Sequence, residues 1–336
     1  MRNLPEVGLS FDPLTRILNG AIPAKLLLTA IELEVFSHLS APMSAESLAR
    51  ELGTHPENTR VFLDALAAND LLHKQNGRYK NTPLADTFLV KGEPTYLADA
   101  LLADAEWMQP ALESMTALVK HGPSTSGRPR QSVPPAKEAE VYANCQRAGV
   151  AQRAAAMVSQ LPEFPRMKKL LDLGAGAGLI GIAIVAAHPT MTGVLFDRPA
   201  IVEVAQQFIH EYELQDRLTT MGGDYCTDPI GDGYDLVWTR YTLSRDNLDP
   251  VIPKIHAALN PGGVYVSYAE GLTHERTRPA MLINGMLAGG LTGAYTMFDE
   301  GEIAQAMLRA GFRSVHSSVV EGSEPYGPAV VDIARK

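Results

Sequence analysis

The sequence predicts an α/β protein in two parts, a doubly wound, Rossmann-like sheet preceded by a helical domain of winged-helix type. Three observations predict it. From residue 166 onward, strand-like runs alternate with runs of helical period. A glycine-rich turn, "KLLDLGAGAGLIG" at 169–181, stands where the first of those strands passes into a helix. Residues 14–80 read helix, helix, helix, hairpin. At 336 residues the chain is long enough for two domains with cores of their own.

The elements follow in order. Over 14–40, Leu26, Leu27, Ala30, Ile31, Val35 and Phe36 make an apolar stripe at helical spacing. Ser44 is a good N-cap for "SAESLAREL", and Gly53 a stop for it. Thr54 and Glu57 form a capping-box pattern, with Pro56 in the first turn of the next helix. In "DLLHKQNGRYKN" the Asn76-Gly77 dipeptide predicts a hairpin. Residues 84–118 are mostly helical, and 138–160 are helical again. Between them, Gly, Pro and Ser in 121–138 break any period and predict a loop, a mobile cover or an interface arm. Strands are then expected in "KKLLDLG", "MTGVLFD", "DRLTTMGGD", "YDLVWTR", "GGVYVSYAE", "FRSVHSSVV" and "AVVDIAR". Helices are expected near 178–188, 199–212, 250–259 and 299–310. The resulting divisions are 1–95, 96–165 and 166–336.

A formal net charge of -9 disfavours nucleic acid as a partner. Cys145 and Cys226 make neither a disulfide framework nor a zinc cluster, so a reducing, cytoplasmic setting is expected. The start lacks the long apolar region of a secretion signal. The apolar window at 179–187 is too short to span a membrane and reads as a buried helix, so no membrane is expected. The histidines show no ligand spacing, and no metal site is predicted.

Two cofactor readings compete at the glycine turn. Gly176, Gly178 and Gly181 fit the dinucleotide pattern G-x-G-x-x-G. Asp172, Gly174, Gly176 and Gly178 fit a pattern with an acid at the strand end. A pyrophosphate needs helix-end amides but no carboxylate. A bound amino-acid moiety gains from an acid that can orient its ammonium, and Asp172 tilts the choice to S-adenosylmethionine. Gly181 is then left to close helix packing. Asp197 ends the second strand, where it can accept from ribose hydroxyls, and Asp224 ends the third, where it can accept from an adenine amino group.

Taken together, "LLDLGAGAG", "HPTMTGVLFDRPAIVEVA", "GGDYCTDPIGDGYDLVWTRYTL" and "ALNPGGVYVSYAE" resemble the S-adenosylmethionine-dependent O-methyltransferases of the caffeate, hydroxyindole and antibiotic-tailoring type. The resemblance covers most of the chain. It implies a class I methyltransferase sheet at 166–336, a dimerisation domain at 1–95, linking helices with a substrate-pocket loop at 96–165, a homodimer, and a small-molecule substrate. It puts Asp172 and Gly174 by the cofactor's methionine end, Asp197 by the ribose, Asp224 and Tyr225 by the adenine, and Arg240 near the sulfonium, with Gly176 and Arg198 also among the cofactor-binding residues.

The sequence departs from the family at its base. Where the family has Leu-His-Asp-Trp, this chain reads "YTLSRDN", with Ser244 in the histidine's place and Asn247 in the tryptophan's. A serine hydroxyl is no general base near neutral pH. Candidates for the chemistry are Ser244 itself, Arg245, Glu270 after the fifth strand, and His274. An already competent nucleophile on O, N, S or C also fits, as does a non-methylating decarboxylase or hydroxylase on the same cofactor. Two other classes differ in kind. A winged-helix regulator is opposed by 56–70, where Arg60 is the one basic residue among Glu57, Asp64 and Asp70. A nicotinamide enzyme would bind NADH and no S-adenosylmethionine.

Overall fold

The structure, a computed structural model, describes residues 7–123, 134–293, 297–320 and 327–336. The chain divides into two compact units, one ending at Ala103 and the other beginning at Asp104. In the first, the helical stretch begins with α1 (Asp12–Asn19), and the apolar stripe lies on α2 (Ala21–Glu32) and α3 (Val35–His38). The chain turns at Glu34, whose φ of 53° ends the helical path. The run Asp12–Glu32, of 21 residues, is long and apolar enough to cross a bilayer by length and composition alone. The sequence reading had singled out 179–187 instead. Leu14, Ile17, Leu18 and Ile22 stand exposed along it.

Ser44 caps α4 (Ala45–Leu52) by accepting from Ser47 N, and Gly53 ends that helix at φ 66°. The capping box expected at Thr54 and Glu57 does not form. His55 Nδ1 accepts from Asn58 N at 3.3 Å and caps α5 (Pro56–Ala68). Thr54 bonds Thr59 instead, and Glu57 turns outward to Arg60. A small sheet of order β1-β3-β2 joins β1 (Met43–Ser44), β2 (Leu72–Gln75) and β3 (Arg78–Asn81). Asn76 and Gly77, both at positive φ, make the tight turn between β2 and β3. After α6 (Pro83–Phe88), the core of this unit is built on Phe36, Leu48, Leu63, Leu66 and Tyr79.

Next come α7 (Ala98–Glu113), α8 (Met115–His121), α9 (Pro135–Cys145) and α10 (Ala151–Ser159). The loop expected at 121–138 falls largely on 124–133, outside the described residues. The helix expected over 138–160 is interrupted within Gln146–Val150 by a kink, where Ala148 and Gly149 leave the helical region and Gly149 takes φ 113°.

All seven strand candidates join one sheet: β4 (Lys169–Leu173), β5 (Thr192–Asp197), β6 (Leu218–Gly222), β7 (Tyr234–Arg240), β8 (Leu259–Ala269), β9 (Ser314–Val320) and β10 (Ala329–Arg335). Its order is β6-β5-β4-β7-β8-β10-β9. The pairs from β6 to β8 are parallel, whereas β10 runs antiparallel to both of its neighbours. The helices are α11 (Leu179–Ala186), α12 (Pro199–Glu211), α13 (Leu248–Ala258), α14 (Ala280–Gly285), α15 (Leu287–Thr292) and α16 (Glu302–Arg309). One apolar cluster joins Leu170, Trp238 and Val266 to Ala154 of α10 and Ile182 of α11. The other joins Leu171, Val237 and Tyr265 to Ile252 of α13 and Ile303 of α16. Each fully buried Val, Leu or Ile among them is worth about 1.5–3 kcal/mol of transfer free energy. The strand order reverses between β4 and β7, which opens a crevice beyond their carboxyl ends.

Candidate functional site

β4 delivers Asp172 into the interior one residue before the strand ends. Its side chain is 2% exposed, and Oδ2 accepts from Gly181 N at 2.9 Å. Burial pushes this carboxyl up to about 7; the Gly181 N–H opposes the shift, and the charge of Asp197 adds to it. Gly181 lies in α11 and not in a phosphate loop. A Cβ there would come within 2.4 Å of Leu195 Cδ2 and 2.9 Å of Asp172 Oδ2. Close packing of α11 on the sheet explains this glycine, as the sequence reading expected.

The turn itself needs positive φ at Gly174, Gly176 and Gly178. Gly174 is also pressed by Thr242, whose Oγ1 lies 2.5 Å from where a Cβ would stand. Gly176 faces more open space, with Gln146 Nε2 at 3.6 Å from such a Cβ. At the end of β5, Asp197 binds backbone through both oxygens. Oδ2 accepts from Gly176 N at 2.8 Å and Oδ1 from Arg198 N at 2.7 Å. A carboxylate offers about four acceptor sites, so lone pairs remain for two hydroxyls. The Arg198 side chain is exposed beside it at the start of α12.

Beyond β6, Asp224 is exposed, and its Oδ1 accepts from Cys226 N at 2.8 Å in a tight local turn. Tyr225 is half-buried and donates its hydroxyl to Thr242 O at 3.0 Å; burial pushes it up to about 12. This hydroxyl is therefore no base near neutral pH. Lys254 of α13 donates to the carbonyls of Tyr225, Cys226 and Asp228 at 2.8, 3.0 and 3.0 Å, tying the loop down from below. At the end of β7 the Arg240 guanidinium stacks 4.7 Å from the Tyr241 ring and 5.6 Å from that of Tyr268.

The loop after β7 holds Ser244. Thr242 Oγ1 donates to Leu173 O at 2.9 Å, which ties this loop to the glycine turn. Asn247 Oδ1 accepts from Ser244 N at 2.7 Å, so Asn247 shapes the backbone around the serine. Arg245 points elsewhere. It pairs with Glu302 at 2.7 Å and Asp299 at 3.2 Å, and Asp299 also pairs with Arg276. This network joins the loop to the start of α16 and the residues just before it. The carboxylate of Glu302 holds the Arg245 guanidinium above its usual range.

Glu270 follows β8 directly and is 3% exposed. His274 is exposed, with Nδ1 3.0 Å from Thr273 Oγ1. It helps to wall a cavity of about 530 Å³ with Gly271, Arg278, Glu300, Val319 and Val330. Neither Ser244 nor any residue of the cofactor turn lines that cavity.

Asp172, the glycines, Asp197 and Thr242 are thus linked by hydrogen bonds or close contact around one crevice. The turn, a nearby buried acid and a carboxylate with lone pairs to spare fit an adenosine cofactor that carries an amino-acid end. Sequence reasoning missed Thr242, Lys254 and Gln146, whose contacts span dozens of residues of chain and leave no local motif.

Known proteins match this chain over most of its length. Residues 15–91 match the O-methyltransferase dimerisation domain, and residues 135–312 match the O-methyltransferase domain. The chain is 30% identical over 302 residues to the N,N-dimethyltransferase OxyT of Streptomyces rimosus, covering 86% of this chain and 87% of that protein. It is 28% identical over 331 residues to the tetracenomycin polyketide synthesis 8-O-methyl transferase TcmO of Streptomyces glaucescens, covering 93% of each. Human N-acetylserotonin methyltransferase in complex with SAM shares the fold at a TM-score of 0.79 and 20% identity, with 99% of each chain covered.

Proposed function

Since the chain belongs to the S-adenosylmethionine-dependent O-methyltransferase family, we propose that it methylates an acidic phenolic oxygen without a histidine base. Methylation of a small aromatic or polycyclic molecule with S-adenosylmethionine is the activity that membership brings. The observation that carries the finer reading is Ser244 at the base position, in a loop held by Asn247 and Thr242. Bound S-adenosylmethionine supplies a methyl group on a positively charged sulfur. Displacement then depends mainly on holding the acceptor in line, and an ionised phenol needs no proton removed.

In this reading Asp172 pairs with the cofactor's ammonium while Gly174 and Gly176 admit its methionine end. Asp197, beside Arg198, takes the ribose hydroxyls. Asp224 and Tyr225 border the adenine. Arg240 favours an anionic acceptor near the reacting centre, Ser244 hydrogen-bonds it, and buried Glu270 orients it. Arg245 acts by holding the loop, and His274 stands outside the reacting centre. Residues 1–95 pair two copies, covering the apolar run Asp12–Glu32, while 96–165 link and roof the catalytic part at 166–336. The enzyme works in the cytoplasm, with neither nucleic acid nor membrane as partner.

A pH–rate series with phenols of graded acidity tests the proposal. The rising limb is expected to move with each phenol's own pKa, and Ser244→Ala to keep most of the rate. A limb fixed near 6.5 for every acceptor, or a loss of about a thousandfold in Ser244→Ala, would overturn it. A second reading, methylation of an aromatic amine, is supported by the 30% identical relative named as an N,N-dimethyltransferase. A neutral amine also attacks without a base. Matched phenol and aniline acceptors, with products weighed by mass spectrometry, separate the two readings.

A further inference from the structure

The kinked segment between α9 and α10 places Gln146 against the glycine turn, although it lies outside the sheet and its crossovers. Gln146 Oε1 accepts from Leu179 N at 3.0 Å, in the first turn of α11. No side chain of α11's own N-cap, Gly178, is available for that role. The bond also fixes which end of the carboxamide is which, because an N–H cannot donate to the amide nitrogen. Nε2 is left on the Gly176 side, 3.6 Å from where a Cβ of that glycine would stand. The turn is held from its other flank by the next residue. Arg147 donates to Glu211 at 2.6 Å and to Tyr212 Oη at 3.3 Å, and stacks 4.7 Å from the Phe208 ring. Gly149 makes the kink possible, since its φ of 113° is one that side chains rarely adopt, and a Cβ would meet Arg153 Nη1 at 2.5 Å.

We infer that Gln146 is a cofactor-recognising residue, its Nε2 donating to the carboxylate of the cofactor's amino-acid end while its Oε1 stays on Leu179 N. The chemistry of the site divides accordingly. Asp172 is an acceptor and suits an ammonium, whereas Gln146 Nε2 is a donor and suits the carboxylate beside it. The inference rests on the S-adenosylmethionine reading above. It goes further by making recognition of the amino-acid end depend on a residue of the linking helices.

The substitution Gln146→Glu tests it. Glutamate keeps an oxygen for Leu179 N but replaces the donor with an acceptor that bears like charge to the ligand. Calorimetry is run with two probes on the whole chain: S-adenosylhomocysteine, which has the amino-acid end, and 5′-methylthioadenosine, which lacks it. Gln146→Glu is expected to weaken S-adenosylhomocysteine at least tenfold and to leave 5′-methylthioadenosine within twofold. Gln146→Met, which removes the donor without adding charge, is expected to fall between the wild type and Gln146→Glu. Unchanged binding of S-adenosylhomocysteine, or an equal weakening of both probes, overturns the inference. Failure of the wild-type protein to bind either probe would instead reject the cofactor reading on which it stands.

Discussion

Replacing Asp172 by asparagine is expected to change stability and ligand binding in opposite directions. The carboxyl is 2% exposed and receives one backbone hydrogen bond, from Gly181 at 2.9 Å. Burial raises it from 3.8 to about 7. Because the folded value lies above the unfolded one, the folded protein binds this proton more tightly. The associated stability is fully present below about pH 4 and is lost as pH rises through about 7. A span of roughly three units at 1.36 kcal/mol each sets a ceiling of about 4 kcal/mol. Relaxation around the charge lowers that figure, so a loss of about 2 kcal/mol is a reasonable expectation.

Asparagine keeps an oxygen for Gly181 N and never ionises. The ligand-free Asp172→Asn variant should therefore be more stable than the wild type at pH 8.5, with the advantage shrinking toward pH 5. Urea denaturation at several pH values measures this directly. With S-adenosylhomocysteine the order should reverse, since the variant no longer offers a negative partner to the ligand's ammonium. A difference in unfolding free energy that does not vary with pH would refute the reasoning, because the carboxyl would then keep one protonation state throughout.

Two further substitutions test the packing around the site. Gly181→Ala should destabilise the protein by about 1–3 kcal/mol in urea, because its Cβ meets Leu195 Cδ2 at 2.4 Å in a tightly packed layer; an unchanged midpoint would contradict the packing role. Lys254→Met removes three donors from the loop that carries Asp224 and Tyr225. It should raise KM for the cofactor about tenfold with kcat little changed, whereas Lys254→Arg should recover part of the loss; initial rates against cofactor concentration decide it.

The parts of the fold that rest on local pattern were readable in advance. Ser44 and Gly53 bracket α4 because capping and positive φ act within a few residues. The strand from 169 carries its own signal, an apolar run closed by glycines, and Asp172 and Asp197 follow from their places at strand ends. Where two local signals compete, tertiary context decides. Thr54 lost the cap of α5 to His55 because its hydroxyl found Thr59. Arg245 pairs with Asp299 and Glu302 from a later segment, a contact that no pattern local to 241–247 announces. Gln146 sat inside a run that reads as plain helix, and Gly149 was the one residue there that hinted at a break.

The insertion of β10 between β8 and β9 has a consequence for synthesis of the chain. When β9 emerges it has no neighbour to pair with, because its partner β10 follows it in sequence. Until residues 329–335 arrive, β8 is paired on its β7 side alone, and the outer edge of its backbone over 264–269 stays open. The central sheet is thus sealed late, by a strand that must slot between two others. Damage to β10, at Val331 for instance, should show as aggregation during expression before it shows as slow turnover.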